Sequence, residues 1–486
     1  MSRTAASADH RILRIGYGGL PVEKGNPFSN VQTPSINLTG GIFDGLTRLN
    51  KDGSLSPWLA KSWQARNNST WRFTLREDIF FSNGRPFDAA SVASTVEYLT
   101  EPGPQTEGVR RDFSFLDGAR IVDRSTVDIY TKIPVPMFPR HAAVLLIVEP
   151  KAWQDMGVKQ FSLTPIGTGP LVVERWENAR CVTRANLLSW RPLQIEGVDF
   201  IVIPDIASRI QAILSDGIDI AYQVAPDDFA TIESVGGSIE TVPAGAASSI
   251  MLQYGTDRDT PLNDIRVRQA LNHAVDKNTI VDVLLGGRTV VSSQATVREA
   301  FGFDPNLKPF SYNPDLAKRL LIEAGYPDGF SMTLETSGGG TNGILVVQKV
   351  ADDLARIGIE VDITIKPVMR FLVDYVRGRI NADAFTLEWS AYPTLDALES
   401  TNTNSCRKTV PWYCDPGFQP VIEAAWSETN QAKGLALRHQ VMRHYYEQLP
   451  TIYLHENVGF VGINSRVTGF TQTYGFIDFE SVQITQ

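Results

Sequence analysis

Three glycines, Gly338, Gly340 and Gly343, stand in the spacing G-x-G-x-x-G within FSMTLETSGGGTNG, positions 330–343. A loop of this kind between a strand and a helix can cradle a pyrophosphate on backbone N–H groups. An acidic residue about twenty positions on can then hold a ribose hydroxyl. The flanks comply. Phe330, Met332 and Leu334 alternate as in a strand, and Ile344, Val347, Val350, Leu354 and Ile357 fall on one helical face. Gly358 then stops the helix, Ile359, Val361, Ile363 and Ile365 alternate again, and Glu360 and Asp362 sit near the ribose position. Locally the pattern fits a dinucleotide-binding enzyme. The competing reading is a tight strand-to-helix turn with no ligand.

Other reactive side chains do not assemble into a catalytic pattern. The histidines are His10, His141, His273, His439, His444 and His455. His439 and His444 are five apart, off one helical face, and no glutamate completes a zincin pattern. Neither a G-x-S-x-G elbow nor a G-x-x-x-x-G-K-[ST] loop occurs. No catalytic residue, cofactor or metal site is expected. Three cysteines are too few for a zinc cluster. Cys406 and Cys414 bracket RKTVPWY, which either closes as a small disulfide ring suited to an oxidising compartment or carries two free thiols. Cys181 reads as a buried strand residue.

The elements that must position these residues alternate between strand and helix along 486 residues, enough for two or three domains. A strand is expected at Ile12–Tyr17, followed by a Gly/Pro/Asn-rich loop. Trp71, Phe73 and Leu75 alternate in TWRFTLRED, and Asp88 caps a helix over AASVASTVEYL. ARIVDRSTVDIYTK and PLVVERWENARCVTRA each read as hairpins, and ASRIQAILSDGIDIAY as a helix, turn and strand. The small-residue stretch ETVPAGAASS marks a crossing between two lobes, and LPTIYLHENVGFVGI a return. The net charge of −9 excludes a general nucleic-acid binder, and no run of 18 apolar residues offers a membrane span. The N-terminus lacks the apolar stretch of a signal peptide, so the protein is cytosolic or its signal has been removed.

IFDGLTRLNKDGSLSPWLAKSW, PIGTGPLVVERW, LSDGIDIAYQVAPDD, PLNDIRVRQALNHAVDKNTIVDVLLGG, NPDLAKRLLIEAGYPDGF and LPTIYL occur in this order. Together they resemble the dipeptide, oligopeptide and nickel-binding family of extracellular solute-binding proteins of ABC importers. The resemblance runs from about Ile12 to the C-terminus. Asp264, Arg266 and Arg268, and the turn at Gly167, Gly169 and Pro170, have bland local readings as a helix start and a hairpin entry. The resemblance implies an α/β, two-lobed periplasmic-binding-protein fold of type II-like form, with an extra subdomain in the first lobe and a hinge. The expected division is 1–40, 165–243 and 466–486 for the first lobe, 41–164 for the subdomain, and 244–465 for the second lobe. It also implies a periplasmic monomer with its signal removed, which carries no lipid-anchor cysteine at its N-terminus and serves a permease in the inner membrane.

The same resemblance implies a cleft that closes over a small solute. FTLEWSAYPTLDALES resembles the family's cleft-lining strand. The aspartate that holds an α-ammonium in peptide-binding members is missing after Trp389, where Ser390, Ala391 and Tyr392 follow; Asp396 lies further on. Trp389 and Tyr392 offer flat faces to a sugar ring or amphipathic chain, unless Trp389 packs in the core. Arg407 offers a fork for a carboxylate or phosphate, or is simply exposed. Asn30 and Gln32 either bond a polar solute or serve a turn, and Arg111 borders the cleft or forms a surface salt bridge. An opine-like sugar/amino-acid conjugate or a short peptide is the favoured ligand, with a nickel chelate or metallophore as the alternative.

Overall fold

In the computed structural model, residues 11–103, 107–255, 258–402, 405–408 and 410–485 are described; His10 lies outside them. The chain divides into two compact units, Met1–Val242 with Phe460–Gln486, and Pro243–Gly459. The strand Ser238–Leu252 leaves the first unit, and Thr451–Ile463 ends back in it. The return lies a few residues earlier than the expected 465/466. Residues 41–164 fall wholly within the first unit.

In the first unit, Ile12–Tyr17 runs parallel to Gly197–Val202 and to Ile220–Tyr222, and the latter pairs antiparallel with Val461–Ile463. Leu171–Glu177 and Arg180–Ala185 form the expected hairpin, with Cys181 buried in it; burial pushes its thiol up to about 12. Gly167 shows why the turn before that hairpin is glycine-rich. A Cβ there would lie 2.1 Å from the carbonyl oxygen of Ile42, so two backbones touch where a side chain has no room. A separate antiparallel sheet carries Ala60–Asn67, Thr70–Leu75, Thr126–Thr131 and Leu116–Asp123 in that spatial order. Its inward residues, Phe73, Leu75, Val127 and Ile129, are those the period of two selects. The helix Ala89–Thr100 packs beside it, and its cap is reciprocal: Asp88 accepts from Ala90 and Ser91 N–H groups, and Ser91 accepts from Asp88 N–H.

In the second unit, Phe330–Thr336 lies between Ile359–Ile365 and Ala384–Ser390 and is parallel to both, while Ala384–Ser390 pairs antiparallel with Ala246–Leu252. The helix Gly343–Ala355 connects the first two strands, turning Val346, Val347, Val350 and Leu354 into a core shared with Leu271, Ile280, Met332 and Leu334. Asp264 caps the helix Ile265–Ala274 and pairs with Arg266. Arg268 is buried, donating to the Gln448 carbonyl at 3.0 Å and lying 3.9 Å over the Tyr254 ring. Local and structural roles for these residues are therefore what the helix start requires.

Candidate functional site

In open parallel sheets, loops leaving the carboxyl ends of the strands build the ligand site, because the strands stop there and the following helices start. In the second unit that end is polar. Thr336 ends its strand, and its hydroxyl shares a hydrogen bond of 2.9 Å with that of Thr386 on the adjacent parallel strand, which runs on past it to Ser390. Thr336 also accepts the Gly338 N–H at 2.9 Å, which turns the chain into the glycine loop. Gly338, Gly340 and Asn342 take left-handed φ of 67°, 83° and 53°. A Cβ on Gly343 would come within 2.7 Å of the Gly338 carbonyl oxygen. The loop is pinned at both sides: Asn342 donates to the Leu284 carbonyl at 2.7 Å and Thr341 to the Val458 carbonyl at 3.1 Å. The glycines thus serve a tight turn, while Gly339 and Gly340 stay exposed. Glu360 and Asp362 stand exposed on the sheet's edge strand.

Ala384–Ser390 sends alternate residues to two faces. Phe385 and Trp389 lie on one. Trp389 is fully buried, its ring 5.5 Å from Tyr445 and 5.9 Å from Trp412. An open aromatic face at Trp389 was expected; the neighbouring rings occupy it instead. Thr386, Glu388 and Ser390 lie on the other face, opposite Ile250, Ser248 and Ala246. Glu388 is exposed, yet reduced hydration pushes its carboxyl group above the usual range, opposed by a hydrogen bond with Asn457. No basic side chain among the described residues ion-pairs with it. Ser390 and Tyr392 are half-buried at the strand's end. Asp396 is buried against Arg438, with contacts of 2.6 and 2.7 Å, and so is not placed to receive a solute.

Cys406 and Cys414 are joined in a disulfide. Arg407 within that ring sits 3.5 Å from Glu423 and 5.0 Å over the Trp426 ring, so its guanidinium is engaged inside its own unit rather than presented as a free fork. Beside the bridge, the Tyr413 hydroxyl meets His444 Nε2 at 3.2 Å, and Phe418 stacks on the His444 ring at 3.8 Å. Burial lowers the His444 pKa, with Asp415 opposing. These contacts fasten the loop to the helix Gln431–Gln448. Among the described residues no group of three His, Cys, Asp or Glu side chains clusters as metal ligands.

In the first unit, Asn30 is exposed and its side chain accepts the Gln32 N–H at 3.0 Å, so it does serve a turn. Gln32 is exposed. Hydrogen bonds from Gly108 N–H to the Ser29 carbonyl, 2.7 Å, and from Val109 N–H to the Phe28 carbonyl, 3.3 Å, bring this loop beside the short helix Gly108–Asp112. That helix carries Arg111, which is exposed and has no ion pair among the described residues, whereas Arg110 is tied to Glu107 and the Tyr98 ring. Asn30, Gln32 and Arg111 are thus drawn from two adjoining segments.

Residues 54–408 match the model of the bacterial extracellular solute-binding proteins, family 5 Middle. The chain belongs to this family. Its members are solute-binding components of ABC importers, not enzymes. The chain is 28% identical over 373 residues to the glutathione-binding protein GsiB of Escherichia coli (strain K12), covering 75% of this chain and 71% of that one. Two solved structures share the fold at lower identity. One is the periplasmic binding protein DppA of Helicobacter pylori in complex with the peptide STSA, with a TM-score of 0.78, 21% identity and 98% of each chain covered. The other is AgaA of A. tumefaciens R10 in complex with agropinic acid, with a TM-score of 0.76, 21% identity, and 98% of this chain and 99% of that one covered.

Thr336, Thr386, Glu388 and Asn457 escaped the reading of the sequence. One signal was available for two of them, Thr386 and Glu388. The alternation in AFTLEWS separates Thr386, Glu388 and Ser390 from Phe385, Leu387 and Trp389, and a wall facing water would take the polar set.

Proposed function

We propose that the protein is the periplasmic receptor of its importer, working as a monomer, and that it captures a small polar solute of the short-peptide or opine class and delivers it to an inner-membrane permease. The observation that carries this reading is the polar carboxyl end of the second unit's parallel strands, where Thr336, Thr386, Glu388 and Ser390 gather beside the exposed glycine loop. Ser390 and Tyr392 extend that wall, while Trp389 holds it from behind. In the first unit, Asn30 and Gln32 offer amide groups, and Arg111, which has no ion pair among the described residues, is a freer carboxylate fork than Arg407, whose guanidinium is already taken. Glutathione, a peptide and agropinic acid, the compounds named for relatives, all join carboxylates to amide or hydroxyl groups, which these side chains can recognise. No helix among the described residues is long and apolar enough to cross a membrane.

Mass spectrometry of solute released from natively purified protein tests the reading. A peptide or a sugar–amino-acid conjugate is the expected species. A metal chelate as the sole released solute would overturn the ligand class.

A further inference from the structure

We infer that Glu388 is a specificity-determining residue that selects solutes carrying a cationic nitrogen, which it meets at the carboxyl end of the parallel strands. The inference rests on the proposed solute-binding reading and adds to it the charge the ligand must carry. Three observations converge on this side chain. It shares its strand face with Thr386, which is bonded to Thr336 at the mouth of the glycine loop, so it stands where a parallel sheet receives ligands. It is exposed and no basic side chain among the described residues neutralises it, in contrast with Asp396, eight residues on, which is closed against Arg438. Asn457, the side chain that opposes the upward shift of the Glu388 carboxyl group, adjoins Val458, whose carbonyl accepts from Thr341 of the glycine loop. The carboxylate therefore stands near the strand's carboxyl end without a counter-charge among the described residues.

A carboxylate in such surroundings gains from a cation whose lost hydration is replaced by directed hydrogen bonds, such as a primary ammonium donating to Glu388 and to the hydroxyls of Thr386 or Ser390. A solute whose nitrogen is acylated would bring a neutral amide there and leave the charge unpaired.

Calorimetric titration of dialysed full-length protein distinguishes the possibilities, with glutathione and the tetrapeptide Ser-Thr-Ser-Ala as probes, each free and N-acetylated. Wild type is expected to prefer the free-amine form. Glu388→Gln, which keeps the shape of the side chain, should weaken that form by about tenfold or more and abolish the preference. Glu388→Asp should retain part of it, which separates charge from folding defects. Equal binding of free and acetylated probes by wild type, or a preference that survives Glu388→Gln, would overturn the assignment of Glu388 while leaving solute binding intact. Binding of no probe in either form would overturn the short-peptide side of the proposed solute class and the assignment with it.

Discussion

The two faces of the strand Ala384–Ser390 show how differently one short segment treats its side chains. On one face Trp389 and Phe385 are closed in by rings from Trp412 and Tyr445. On the other, Glu388 is open and uncompensated beside the hydroxyls of Thr386 and Ser390. The first face holds the sheet together, and the second is the one we propose meets the solute. An aromatic residue near a presumed site is thus weaker evidence of recognition than the polar residue beside it.

The contrast can be broken or sharpened by substitution. Trp389→Ala should have the largest effect, a loss of about 4 kcal/mol in denaturant unfolding, because it empties a fully buried aromatic position. A loss under 1 kcal/mol would show that the ring is not core. Arg438→Ala should cost about 3 kcal/mol in the same measurement, since it leaves Asp396 buried and charged without a partner. Lys277 offers a test with a pH signature. It is buried, and lost hydration lowers its pKa to about 7. Below that value the folded protein carries the full penalty of a buried ammonium. Between about 7 and the unfolded value near 10.4 the unfolded chain binds more protons, so stability should rise with pH. Lys277→Met should remove this rise, read as a difference of about 2 kcal/mol between pH 7 and 9 in paired unfolding curves. Thr386→Val should be mildest for stability, about 1 kcal/mol or less, while weakening solute binding in calorimetry. Equal affinity in that variant would remove Thr386 from the wall.

Local chemistry was legible in the sequence. The strand Ile12–Tyr17, the cap at Asp88, the two hairpins and the strand–glycine–helix turn at 330–355 all follow from near neighbours in the chain, where spacing and residue type carry the information. The family signature in motif order added the fold class. The placement of site residues depends on partners far away in sequence. Arg438 lies 42 positions from Asp396, and nothing local announces that the two will meet. Arg407 looks free until Glu423 and Trp426 approach it, and the Asn457 that steadies Glu388 comes from the strand that returns to the first unit. Trp389 was the instructive miss. Its apolar bulk suggested a platform for a sugar, but the same bulk on the apolar parity of its strand is what draws it inward.

The route of the chain has a consequence for biosynthesis. Residues 243–459 form one unbroken unit, whereas the first unit needs both 1–242 and 460–486. Its strand Ile220–Tyr222 finds an antiparallel partner only in Val461–Ile463. A ribosome therefore releases most of the first unit early but cannot complete it until all of the second has been made. Through that interval one flank of a central strand stands unpaired, open to wrong partners. Residues made after the second unit close a first unit whose larger part was made before it.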